Sequence, residues 1–352
     1  MVANSITLKS HLTHGWLRGL TFDSIYIWGT ISLAIASGCI VVGQPHLFLP
    51  VFVLNGYLLG YHHVIATFTR LSFDSDSFRQ HRFLVVWLPI LVLGAVVALT
   101  ALVGTWILTT TYLYWQWWHY TRQSYGVSRI YARKAGVGSD RLTTAVIYAV
   151  PVWGILYRSY QAPKEYLFAP VKVLPVPFWL VAIVGVFAIG VTAWWVSKQL
   201  VLIARGELAV AHSSYLLSHL IGFSVAYLLV DNINHRWLVL NIWHNSQYIL
   251  TVWMFNNNRF KNEANANHKF LFHLSQRKNI LSYFVVCLVI STIVYSLLAS
   301  VLSWLSVTIT LAAALPLVPI FYQTINFHHY VVDAVIWKVR RKTIRENLGV
   351  TS

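Results

Sequence analysis

Residues 83–103 read FLVVWLPILVLGAVVALTALV, 21 positions without a charged side chain. A helix crosses a bilayer with about 20 mostly apolar residues, so this run alone spans one. Gly104-Thr105 is then the entire connection to a second apolar stretch, 105–121, which predicts a tight helical hairpin. Working outward, the same criterion marks 25–43 and 46–69 before it, and 143–157, 174–197, 209–231, 237–256, 280–303 and 305–327 after it. The last two meet at Ser303-Trp304 and predict another hairpin; 143–157 is short and holds Pro151 inside. The expectation is an all-α polytopic membrane bundle of about ten transmembrane helices, a single domain over 1–352, with a cytoplasmic segment 1–24 and a basic cytoplasmic tail 338–352.

Composition agrees. The 352 residues are 57% hydrophobic and 10% charged, with a mean hydropathy of +0.60; a soluble domain carries about a quarter charged residues to face water. The net charge of +16 is therefore no mark of nucleic-acid binding, because basic residues of a membrane protein gather on its cytoplasmic face. With the N-terminus inside and ten alternating spans, 22 of the 26 lysines and arginines fall inside, leaving Arg158, Lys164, Lys172 and Arg236 outside. A wrong helix count would scramble that asymmetry, so both termini are predicted to be cytoplasmic, in a bacterial inner membrane. Residues 1–24 hold Lys9, His11, His14 and Arg18 without an apolar core, so no cleaved signal is expected. Cys39 and Cys287 lie far apart in apolar runs and imply neither a disulfide nor a thiolate metal site.

Against only ten acidic residues stand 15 histidines. Imidazole in hydrocarbon is costly and usually faces a bundle interior. His62 and His63 close the second span, His119 the fourth, and His328 and His329 the tenth; His212 begins the seventh with His219 two turns deeper, and His244 lies nearer the middle of the eighth. Their shared depth points to a metal site, since neutral imidazole is the commonest metal ligand and suits iron, copper and zinc. The metal ligands expected are His62, His63, His119, His244, His328 and His329, with one member of each adjacent pair binding. Asp333 stands four residues after His329, on the same helical face, where a carboxylate can orient an imidazole. Gln123 and Gln247 are expected to orient ligands or bound water, Tyr125, Tyr248 and Trp243 to shape an apolar channel, and Arg122 or Arg129 to hold a polar head group. Bland readings apply elsewhere: His11, His14, His46 and His81 as interfacial or loop residues, His268 and His273 as solvated ones, and Asp333 as a partner of Lys338 or Arg340 at the interface. The spacing of Val331, Val332, Val335, Ile336 and Trp337 predicts that the last helix runs on past Asp333 without a break.

The sequence resembles the bacteriorhodopsin-related-protein family of membrane beta-carotene 15,15'-dioxygenases in motif islands. His328 followed by Asp333 repeats that family's His-x4-Asp signature, and Gly60-Tyr61-His62-His63 stands where its Gly-Leu-Pro-His motif falls, without the proline or the following Asp. Trp118-His119 and Trp243-His244 match the positions of its middle histidines, although Gln123 and Gln247 replace an Asp and a second His. The resemblance implies a non-haem iron held by histidines of several spans and a lipophilic substrate. Fatty-acid desaturases fit less well, because their His-x3-His and His-x2-His-His boxes are absent. Taken together, the expected function is an iron-dependent membrane oxygenase or hydroxylase acting on a lipid or isoprenoid, with an electron donor as a further partner. The alternatives are a transporter of a metal or small solute, with His219 and His244 lining its path, and a haem-binding electron-transfer protein.

Overall fold

A computed structural model describes residues 15–73, 75–138, 140–261, 269–308 and 315–350. The expectations for Lys9, His11, His14 and His268, and for 309–314 of the last span, lie outside these residues. The chain is all-α. Among the described residues ten long helices follow one another: α1 (Leu20–Gly43), α2 (Pro45–Leu71), α3 (Phe83–Val103), α4 (Trp106–Lys134), α5 (Arg141–Tyr160), α6 (Phe178–Ala204), α7 (Val210–Ser224, continued by a π turn to Leu229), α8 (Ile233–Arg259), α9 (Ile280–Thr308) and α10 (Leu317–Ile336). The strands among the described residues form one small antiparallel hairpin, β1 (Glu165–Tyr166) and β2 (Ala169–Pro170), between α5 and α6.

α1, α2, α3, α6 and α9 are long and apolar enough to cross a membrane, and their most apolar windows are largely exposed, that of α3 being only 17% buried. α8 is the reverse: most of it is buried, including His244, Asn241, Asn245, Gln247 and Asn256. Apolar helices thus surround polar ones, which is the arrangement hydrocarbon demands and water forbids. α1 can lie against α8 because residue 38 is glycine; a Cβ there would stand 2.5 Å from Cγ2 of Val239.

Local chemistry sets the helix ends. Asn232 caps α8 by accepting from the backbone N–H groups of Asn234 and His235, and Asp140 caps α5 by accepting from Leu142 N at 2.9 Å. Pro151 does not break α5. A proline frees the carbonyl four residues earlier, and that carbonyl, of Ile147, accepts from Nε2 of His219 at 3.0 Å.

Two expectations are corrected. α9 runs through Ser303-Trp304 to Thr308, so no hairpin sits there. α4 does not stop at 121 but continues to Lys134, where Ile130, Tyr131 and Ala132 are still buried. As expected, α10 runs past Asp333 without a break, to Ile336, and a separate short helix occupies Lys342–Asn347. Its end is held by Arg70, whose Nη2 donates to the Ile336 carbonyl at 2.8 Å and whose guanidinium lies 4.0 Å from the Trp337 ring. The basic tail beyond it packs back, with Ile344, Leu348 and Val350 buried against Leu17 and Tyr131.

Candidate metal centre

Four helices each bring one histidine to a common point: His63 from α2, His119 from α4, His244 from α8 and His329 from α10, joined by Asp333 one turn beyond His329. All five side chains are buried. In His63, His244 and His329 the ligand-capable atoms all lie within 4.8 Å of one another, and the same holds for His119, His329 and Asp333. His329 belongs to both triads and therefore ties the five residues into one cluster. Its Nε2 is 2.6 Å from Nε2 of His63 and 3.4 Å from Oδ2 of Asp333; Nε2 of His119 is 3.8 Å from the same oxygen.

Helical geometry explains the choice within each adjacent pair. Neighbouring residues on a helix point about 100° apart, so only one of two can face a given axis. In α2 the choice falls on His63, just after a π turn at Gly56–Tyr61, and such turns often mark functional sites. His62 packs edge-on against Phe284 of α9, with ring centroids 5.7 Å apart. His328 stacks on Phe68 and its Nε2 donates to the Leu84 carbonyl at 2.7 Å.

The cluster is held by hydrogen bonds that the sequence did not disclose. Tyr248 donates to Oδ1 of Asp333 at 2.7 Å. Its hydroxyl in turn meets Thr67 Oγ1 at 2.8 Å and accepts from Trp337 Nε1 at 3.1 Å. Thr67 also lies 3.4 Å from Nδ1 of His329. Tyr248, expected to line a channel, thus positions the carboxylate instead. The signal was present: Thr67, Tyr248 and Asp333 each follow a cluster histidine by four residues, one turn along the same face. Tyr120 and Tyr330 supply flat walls, 4.0 Å from the His244 ring and 4.5 Å from the His119 ring by centroid.

Other expected site residues lie elsewhere. Gln247 donates to the backbone carbonyl of Tyr26 at 3.2 Å. Tyr125 packs on Tyr148 and beneath the Arg122 guanidinium, and Gln123 takes no part in the contacts that close the cluster. Trp243 is buried near Phe223 and His219. His219 has both nitrogens occupied, by the Ile147 carbonyl and by Ser124 Oγ at 2.7 Å, and His212 meets Ser128 Oγ at 3.2 Å. Both are packing histidines. Asp333 pairs with neither Lys338 nor Arg340; its partners are Tyr248, His119 and His329.

The donor set fits a divalent cation. Nε2 of His119 and Nδ1 of His63 are buried without a hydrogen-bond partner, a costly state for a polar atom. Among the described residues Asp333 forms no ion pair with Lys or Arg, so nothing of opposite charge in direct contact compensates its burial. Ligands on one ion with bonds of about 2.1 Å stand about 3–4 Å apart, and the cluster's separations bracket that range. Imidazole and carboxylate without thiolate suit iron, manganese or zinc; both cysteines are free and lie outside the cluster.

Comparison of the chain with protein-family models, with curated proteins and with solved structures returns no match. The site's own chemistry therefore carries the functional reading.

Proposed function

We propose that the chain is a non-haem iron oxygenase or hydroxylase of the membrane, acting on a lipid or isoprenoid, with ten spans and both termini in the cytoplasm of a bacterial inner membrane. The observation that carries this is the convergence of four buried imidazoles and one carboxylate, from four different helices, inside a bundle whose outer helices are apolar. His63, His119, His244 and His329 would hold the metal, and Asp333 would complete the set or fix the His329 imidazole. Ferrous iron in such a site supplies the activation of dioxygen. The residues do the rest. Tyr248 and Thr67 keep Asp333 and His329 oriented, and Tyr120 and Tyr330 exclude water from the faces of His244 and His119. A lipophilic substrate would reach the cluster from the bilayer, and a hydroxylase would draw electrons from a donor on the cytoplasmic side. The motif-level similarity to the membrane carotene dioxygenases points the same way.

The transporter alternative loses His219 from its path, since both ring nitrogens are occupied. Haem ligation is disfavoured because the His63 and His329 nitrogens are 2.6 Å apart and two further imidazoles stand within 5.4 Å of the His329 and His63 rings, leaving no plane for a macrocycle. The decisive experiment loads the detergent-purified protein with Fe(II) without oxygen, then adds oxygen, a chemical reductant such as ascorbate and a membrane lipid extract. Oxygen uptake with a lipid product carrying one or two added oxygen atoms supports the assignment. Metal flux across proteoliposomes without oxygen uptake overturns it.

A further inference from the structure

We propose that Arg236 is the binding site for the oxyanion head group, carboxylate or phosphate, of a single-chain lipid. Arg236 lies in the first turn of α8 and is only 3% exposed. Its Nε and Nη2 both lack a hydrogen-bond partner. Those two nitrogens form one edge of the guanidinium, the edge that grips a carboxylate or phosphate through two parallel N–H···O bonds. The guanidinium rests 4.7 Å from the Tyr227 ring, and among the described residues no carboxylate forms an ion pair with it.

A second arginine stands in the surroundings, with the Asp231 carboxylate near it rather than paired with Arg236. Arg158, 1% exposed, reaches the same end of the bundle, where it donates to Gln161 Oε1 at 2.7 Å and to the backbone carbonyls of Asp231 and Val230. The N-terminus of α8 adds the positive end of its dipole. Leaving a buried guanidinium edge without acceptors is expensive, and an oxyanion satisfies both donors at once. The other arginines have different employment: Arg70 is held by a carbonyl and the rings of Phe255 and Trp337, and Arg122 is exposed and bonded to Tyr148.

The apolar part of the ligand follows from what stands beside the site. Trp237, the next residue of α8, belongs to an aromatic wall with Phe48, Phe52 and Phe168, with centroid separations of 5.3–5.9 Å. The β1–β2 hairpin covers this end, tied to α8 by the bond from Leu167 N to Asn234 Oδ1 at 2.8 Å. Arg236 precedes His244 by eight residues on one helix, a rise of about 12 Å, within reach of an acyl chain whose head sits on Arg236. That last step rests on the oxygenase reading; the anion site does not.

The test uses the full chain in non-ionic detergent and follows thermal unfolding with dodecanoate, dodecyl phosphate, methyl dodecanoate or inorganic phosphate. Dodecanoate and dodecyl phosphate should stabilise the protein, and the uncharged ester and inorganic phosphate should not. Arg236→Lys keeps the charge but loses the fork, and should weaken dodecanoate binding about tenfold or more. His244→Ala should leave it unchanged. Equal stabilisation by the ester, or undiminished dodecanoate binding in both Arg236→Lys and Arg236→Gln, overturns the site. Inorganic phosphate matching dodecyl phosphate overturns the lipid assignment. Arg236-dependent binding in a protein that holds no metal would leave the anion site standing and the oxygenase reading refuted.

Discussion

At the scale of single residues the division is between histidines whose ring nitrogens converge on one point and histidines that face neighbours outside it. Sequence position found the cluster members but could not choose within His62-His63 or His328-His329, because both members of a pair occupy the same depth. It did find Asp333, since the spacing of four puts it on the face of His329. It missed Tyr248 as a positioning group, because the target of a tyrosine hydroxyl depends on which helix packs opposite. Tyr248 holds Oδ1 of Asp333 at 2.7 Å, so Tyr248→Phe should loosen that carboxylate and lower metal affinity by about 10–100-fold. Titration of the metal-free protein with Fe(II), read by calorimetry, measures this. An unchanged affinity in both Tyr248→Phe and Asp333→Asn would remove Asp333 from the site and leave the histidines alone.

At the scale of helices, the hydropathy runs located the elements, whereas their ends were set by contacts between elements. The carboxyl end of α10 is the clearest instance. Apolar spacing carries the helix through Ile336, where Arg70 of α2 caps its end and Trp337 donates to Tyr248. No periodicity within α10 could have announced an arginine from another helix. The kink tolerance of α5 is similar, because the carbonyl freed by Pro151 is satisfied by His219 of α7. His219→Ala leaves that carbonyl buried and unbonded, so stability should fall by about 1–3 kcal/mol. Metal content should stay at the wild-type level, because His219 is no part of the cluster. Denaturation in detergent and elemental analysis of one sample read both quantities. Loss of metal from a still-folded His219→Ala protein would place that histidine in the site and revive a path through α7.

At the scale of the whole molecule, an all-α membrane bundle was legible from composition and run length alone. Five of its helices meet length and hydropathy requirements for crossing a membrane outright. The other five carry the polar groups of the interior, which lowers the hydropathy that would have identified them: α8 buries three asparagines, a glutamine and two histidines. The proposal that these also span, and the proposed orientation, rest on the asymmetry of lysine and arginine. A reporter active only outside the cytoplasm, fused after Ser352, should stay silent, while one fused into the Glu165–Pro170 hairpin should be active. The opposite pattern would invert the topology and move the Arg236 site to the cytoplasmic face.

The central claim is that one metal ion is held by His63, His119, His244 and His329. Elemental analysis of the purified full-length protein, wild type beside His119→Ala, His244→Ala, His62→Ala and His328→Ala, tests it most directly. One iron per chain is expected in the wild type and in the His62 and His328 variants, with most of it lost from the His119 and His244 variants while membrane insertion is retained. Equal metal in all five proteins, or none in any, would contradict the site.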